Sequence, residues 1–361
     1  MKTKVRVKKK YKKKSKNYIM ILVVVIFTLA VSSWAFYELT KPKVATQWFD
    51  SRAKAKQNII LPRDDGYHAN TMEWWYYNGR LITESGKEYS FHFTTFLVNN
   101  LMTHTVFHSS LGDHTKKRHY TDQSRTAGNP SVGVKNSFLF KYQNWFMHGE
   151  NGHDQLKVAN DQFAFDLQLE DLEPVVNHGV DGIISLDIAG DSYYYSRTRM
   201  NVTGTLEVAG IKEHVTGISW FDHQWGDFLP AKLSWDWFSL QLDNGVDLMI
   251  YQMRDKQGNP VRYFVTVAKN GTTEILDQAE FTLTPGREWH SKKTGNSYPI
   301  FWKLKIPGKK IDLNISSIIN DSEVDARLTT YLTYWEGAVN VEGSHTGQGF
   351  MELQGYGSAN K

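Results

Sequence analysis

Cysteine does not occur anywhere in the 361 residues. Its absence excludes a disulfide framework, a thiolate metal site, a cysteine nucleophile and lipoprotein-type acylation, and it leaves the redox compartment open. The sequence also has no G-x-S-x-G elbow, no G-x-x-x-x-G-K-[ST] phosphate loop, no G-x-G-x-x-G turn after a strand and no H-E-x-x-H pair. These gaps remove the usual signatures of serine hydrolysis, nucleotide binding and zinc proteolysis. Acidic residues are missing from residues 1–17, which carry ten Lys or Arg. Without that tail the balance is 32 basic against 38 acidic residues, so the body offers no electrostatic footprint for nucleic acid.

The basic tail is better read as a topology signal. It precedes twenty uncharged residues, 18–37 (YIMILVVVIFTLAVSSWAFY), which would span about 30 Å as a helix. The charge asymmetry expects a single-pass cell-membrane protein with a cytoplasmic N-terminus and an extracytoplasmic body, and Trp34, Tyr37 and Lys41 suit an outer interfacial belt. A cleaved signal peptide is the competing reading, because Ser33 and Ala35 are small residues at cleavage-site spacing. Residues 38–60 read as a stalk.

Aromatic residues are abundant, with 12 Trp, 18 Tyr and 19 Phe, and large rings suit strands and the walls of apolar pockets. From Thr71 onward, short aromatic and β-branched stretches alternate with turn signals, and no amphipathic helix of ordinary length competes. The segments at 91–98, 163–170, 233–242 and 246–253 alternate with period two. An internal repeat then divides the body. Tyr195 to Gly204 aligns without gaps on Tyr334 to Gly343, each ending in Asn-Val-x-Gly. Glu73-Trp74 and Asp236-Trp237 open the two copies, which makes Trp74 and Trp237 the expected equivalents, and Gly217 and Gly355 close them. The expected fold is therefore all-β, two tandem barrels over 61–228 and 229–361, after one N-terminal transmembrane helix.

The join between the copies holds the densest polar and aromatic cluster. Asp222 and His223 lie among Trp220 and Trp225, and Asp236 lies beside Trp237. An acid and an imidazole among indoles suit proton transfer at a domain interface. Neighbours on a strand point to opposite faces, however, so Asp222 and His223 need not touch. A buried corner bracing the barrels is the bland alternative. Six of the 13 histidines lie between His68 and His119, but His104 and His108 fall on a strand-like stretch, so no metal site is expected.

The runs His68-Ala-Asn-Thr-Met-Glu73-Trp74-Trp75-Tyr76, Phe91 to Phe96, Tyr193 to Arg199, Trp220 to Gly226, Asp236 to Leu242 and Tyr334-Trp335-Glu336-Gly337 resemble the carotenoid 1,2-hydratase and AttH-like family. The resemblance covers about residues 61–357. It implies two lipocalin-like (calycin) barrels and a site between them, with Asp222, His223 and Asp236 as catalytic candidates. Glu73, Trp74, Trp75, Tyr76, Trp225, Trp237, Tyr251, Trp335 and Glu336 are the implied ligand-binding residues. The hydratase branch of that family pairs a His-x-Trp, here His223-Gln224-Trp225, with a downstream Tyr-x-Asp. This chain has Tyr251-Gln252-Met253, with methionine in the acid's place, so Asp222 or Asp236 would have to protonate a substrate. Two functions are expected from this. One is binding of an elongated apolar ligand, a lipid or isoprenoid, as accessory to an ABC transporter permease. The other is acid-catalysed hydration or hydrolysis of such a ligand. No cofactor is implied by either.

Overall fold

The computed structural model describes residues 58–130, 135–186, 189–228, 234–255 and 257–357. The expected membrane helix and its basic tail lie outside the described residues, as does most of the stalk. Among the described residues no helix is long and apolar enough to cross a membrane.

The body is all-β, as the period-two segments require. Its strands are β1 (Met72–Thr83), β2 (Glu88–Asn99), β3 (Thr103–Asp113), β4 (Arg118–Ala127), β5 (Phe138–Tyr142), β6 (Trp145–Glu150), β7 (His153–Ala159), β8 (Phe163–Asp171), β9 (Val176–Asn177), β10 (Ile183–Ser185), β11 (Asp191–Val208) and β12 (Ile211–Gly226). They continue as β13 (Ser234–Leu242), β14 (Asp247–Arg254), β15 (Pro260–Lys269), β16 (Thr272–Leu276), β17 (Thr282–Pro285), β18 (Glu288–His290), β19 (Ser297–Pro299), β20 (Phe301–Ile306), β21 (Ile311–Ser317), β22 (Glu323–Ala326), β23 (Leu332–Gly343) and β24 (Gly347–Gln354).

The first twelve strands form one antiparallel sheet in the order β4-β3-β2-β1-β12-β11-β8-β7-β6-β5, with β9 and β10 paired to β11. A second sheet runs β16-β15-β14-β13-β24-β23-β21-β20-β17, with β22 on β23, and β18 and β19 form a small separate ribbon. The same plan is therefore built twice: a meander whose first strand pairs with the last. Each sheet curls around its own apolar core. Trp75, Tyr77, Phe91 and Phe221 lie in the first core, and Phe238, Leu240, Trp302 and Trp335 in the second. A third cluster, with Tyr76, Tyr194, Trp220, Trp237, Tyr251 and Phe350, joins the outward faces of the two sheets.

The glycines that end the repeated segment explain part of the correspondence. Gly204 (φ +156°) pairs with Leu167, and Gly343 (φ +129°) pairs with Leu313. A Cβ there would lie 2.1 Å from the Asp166 carbonyl oxygen and 2.3 Å from that of Asp312, so only glycine fits the close approach. Following the ladders onward corrects the expected equivalence. Val202 pairs with Gly217 and Gly217 with Leu81, while Val341 pairs with Gly347 and Gly347 with Leu242. Counting back equally along β1 and β13 matches Trp74 with Trp235 and Tyr76 with Trp237. Gly217 corresponds to Gly347, not Gly355. A two-residue slip keeps each side chain on its face, so the sequence alignment could make it without disturbing the hydrophobic pattern.

Candidate functional site

A cavity of about 370 Å³ opens between the two sheets, on the outward faces that carry the third apolar cluster. Alternation decides which side chains enter it. On β1, Trp74 and Tyr76 face the cavity while Glu73, Trp75 and Tyr77 turn inward; on β13, Trp235 and Trp237 face it while Asp236 and Phe238 turn inward. Phe96, Phe228 and Tyr251 complete much of the aromatic wall.

Among the described residues, three carboxyl side chains reach this cavity: Asp222, Glu336 and Glu352. Glu336 on β23 and Glu352 on β24 are directly opposite each other in the ladder, and like charges at such a position are unfavourable. Burial raises the Glu336 pKa well above the ordinary value and the facing Glu352 raises it further, while the Tyr76 hydroxyl, which donates to its Oε1, opposes the rise. Burial likewise pushes Glu352 up to about 7. Asp222 is also pushed up to about 7 by burial, against hydrogen bonds from Ser196, from the Tyr194 hydroxyl at 2.6 Å and from Trp220 Nε1 at 2.6 Å. The cavity therefore carries carboxyl groups that hold protons near neutral pH. Among the described residues, the second oxygen of Glu336, Oε2, makes no hydrogen bond; it stands 3.3 Å from His92 Nδ1, which has no hydrogen-bond partner among them either. Burial lowers the His92 pKa well below its usual value, so that ring is neutral.

The expectation that His223, Trp225 and Asp236 line one cleft is corrected. Asp222 and Gln224 point into the cavity, so the intervening His223 and the following Trp225 turn into the first core. His223 is fully buried, with Nε2 2.8 Å from Glu73 Oε1 and its ring stacked on Trp75. Trp225 stacks on His68 at 4.0 Å. Asp236 lies inside the second sheet and accepts hydrogen bonds from Gln252 at 2.6 Å, Arg254 at 2.9 Å and Tyr356 at 2.7 Å. Trp335 is likewise a core residue, its Nε1 donating to the Asn320 carbonyl at 2.7 Å. Glu73 and Trp75 brace the first core, with Trp75 Nε1 donating to the Asp65 carbonyl at 3.2 Å. Of the expected residues, Trp74, Tyr76, Asp222, Trp237, Tyr251 and Glu336 meet at the cavity. Asp222 does not orient His223.

Sequence reasoning did not single out Glu352, Tyr194 or His92 as site residues. Glu352 sits on a largely buried strand, in the run Gly-Phe-Met-Glu-Leu-Gln, where an unexplained charge was the available signal. Its pairing with Glu336 needs the ladder register. Against the expected absence of metal, the donor atoms of His68, Glu73 and His223 lie within 4.8 Å of one another.

A family model described as AttH-like matches residues 52–356. No curated protein matches the chain. Among solved structures, a protein of Nitrosomonas europaea assigned to AttH superposes with a TM-score of 0.77 at 27% identity, covering 83% of this chain and 97% of that one. Kievitone hydratase from Nectria haematococca superposes with a TM-score of 0.69 at 20% identity, covering 84% and 94%.

Proposed function

Because this chain belongs to the AttH-like family, whose matched region takes in both sheets, we propose that it holds an elongated apolar ligand between two lipocalin-like halves and hydrates a carbon–carbon double bond of that ligand by acid catalysis. The observation that carries this reading is Glu336. Its Oε1 is fixed by the Tyr76 hydroxyl, and its Oε2, at the wall of an aromatic cavity, has no hydrogen-bond partner among the described residues. A carboxyl kept neutral by burial is a general acid poised for neutral pH.

In the reaction the Glu336 Oε2 proton passes to the less substituted alkene carbon, and the positive charge falls on its neighbour. The faces of Trp74, Trp237 and Tyr251 offset that charge. Water adds to the cation and gives its extra proton to the ionised member of the Glu336–Glu352 pair. The net change is one water consumed, with the pair again holding its proton.

Hydrolysis is less well supported. Ser196 and His178 are 2.6 Å apart, but the Ser196 hydroxyl donates to Asp222, and the other His178 nitrogen meets the Thr266 hydroxyl at 2.9 Å where a catalytic base needs an orienting carboxylate.

We also read the cavity mouth as a membrane-facing entrance. Asn100 and His104, which flank Leu101 and Met102, line the cavity, as do Thr329 to Leu332 beside Leu328. Leu101, Met102, Leu328 and Tyr331 are 104%, 80%, 87% and 76% exposed, an unusual concentration of bare apolar side chains around one opening. With an apolar run at residues 18–37 tethering the body to a bilayer, such a lip suits withdrawal of a ligand from lipid.

The test is to incubate the full-length chain in detergent with an acyclic isoprenoid bearing a terminal isopropylidene group, in isotopically labelled water. A product carrying one labelled water, lost about 100-fold or more in Glu336→Gln while ligand capture persists, is the expected result. Capture with unaltered release by both proteins would leave binding alone as the function.

A further inference from the structure

On the far side of β1 and β12 from the cavity, we propose a binding site for a single divalent ion of the zinc class, built by His68, Glu73 and His223. Glu73 Oε1 lies 2.8 Å from His68 Nδ1 and 2.8 Å from His223 Nε2. Two imidazole nitrogens thus converge on one carboxylate oxygen. Tetrahedral zinc bonds of about 2.0–2.1 Å put ligand atoms about 3.3 Å apart, so each His–Glu73 separation must open by about half an ångström to admit an ion, and all three donors already lie within 4.8 Å of one another. Nitrogen ligands favour zinc and its transition-metal neighbours over magnesium or calcium.

The surroundings supply the outer contacts that orient metal-binding imidazoles. Behind His68, Nε2 faces Asp64 Oδ1 at 3.5 Å. Behind His223, Nδ1 lies 3.3 Å from the Tyr195 hydroxyl, which itself donates to Asp65 at 2.5 Å. The second Glu73 oxygen accepts the His68 backbone N–H at 2.8 Å, leaving Oε1 for the ion. The rings are also held: Trp225 stacks on His68 with an interplanar angle of 1°, and Trp75 stacks on His223.

With metal on His68 Nδ1 and His223 Nε2, the other nitrogen of each ring carries its proton and faces an oxygen, Asp64 Oδ1 for His68 and the Tyr195 hydroxyl for His223. Three protein ligands leave a fourth position for water, on the side where His68 is 20% exposed. Since Asp222 and Gln224 face the other way, the ion stands apart from the cavity, and it pins the segment before β1 to β1 and β12.

The experiment uses the full-length chain in detergent, purified with a tag that contains no histidine. Elemental analysis and zinc titration are expected to give one ion per chain, with a higher melting temperature. Cobalt(II) should give the visible spectrum of a four-coordinate site, bleached by zinc. His68→Ala, at the least buried ligand, should weaken zinc binding at least about tenfold, and Asp64→Asn about 10–100-fold through its contact with His68. Failure of the native chain to take up an ion, or equal uptake by His68→Ala, would overturn the site and leave an imidazolium–carboxylate brace.

Discussion

The indole Nε1 of Trp237 donates to the hydroxyl of Tyr194 at 3.0 Å, and that hydroxyl donates to Asp222 at 2.6 Å. A side chain of the second sheet thereby reaches a carboxyl of the first through one phenol. Tyr194→Phe removes a donor that favours the ionised form of Asp222, which already sits at about 7. The Asp222 pKa should rise by about one unit, the worth of one hydrogen bond to a charged group. Isotope-edited NMR titration of the aspartate carboxyls would show it, and an unchanged or lowered value would refute the wiring.

The contributions of Asp222 and Glu352 to folding stability should decline as pH rises to about 7, whereas His108, His119 and His178, whose pKa values burial lowers, act with the opposite sign below about pH 6.5. Asp222 and Glu352 titrate at about 7 in the fold against 3.8 and 4.5 as free groups. The folded chain therefore keeps protons that the unfolded chain has released. The stabilising contribution is complete below about pH 4 and is lost as pH climbs through about 7, at up to roughly 1.4 kcal/mol per unit for each carboxyl. Buried Asp154, at about 7, and Asp171 and Asp247, at about 6, act with the same sign. Melting curves across pH 5 to 8 should be shallower for Asp222→Asn, with the largest gain at the alkaline end.

Arg197 should be one of the costliest charges to remove. It is buried, donates to Asp65 at 2.9 Å and also pairs with Asp171. Arg197→Met leaves those carboxylates without their cation, a change of about 3–5 kcal/mol. At that size the melting temperature should fall by about 10 °C. Arg197→Lys keeps the charge without the planar fork and should recover only part of the loss. A shift within experimental error for Arg197→Met would show that the pair contributes nothing.

Replacing Leu101, Met102 and Leu328 by serine should leave the cavity intact, since these exposed side chains lie beside its lining and not in it. Transfer of an apolar ligand out of vesicles should slow several-fold. Conversion of the same ligand supplied in detergent should be unchanged. If both rates fall together, the lip serves the cavity itself and not the membrane.

Much of the architecture was already fixed by local chemistry in the chain. Period-two alternation set the strands, and the Asn-Val-x-Gly repeat ending at Gly204 and Gly343 marked the doubled plan, because a close backbone approach admits only glycine. The joining segment singled out Asp222 and Trp237, and the family resemblance implied Trp74 and Tyr76 as ligand-binding residues; all four meet at the cavity. Alternation also warned that Asp222 and His223 face apart, but it could not say which of them meets a ligand. That choice depends on which face of β12 the second sheet covers. Tertiary structure alone opposed Glu336 to Glu352 across a ladder, turned Asp236 inward to Arg254, and gathered His68, Glu73 and His223 around one point. Each of these depends on strand register and on contacts between residues remote in sequence. Burial then raised the carboxyl pKa values, and burial is a property of the packed sheets that no segment of the chain carries by itself.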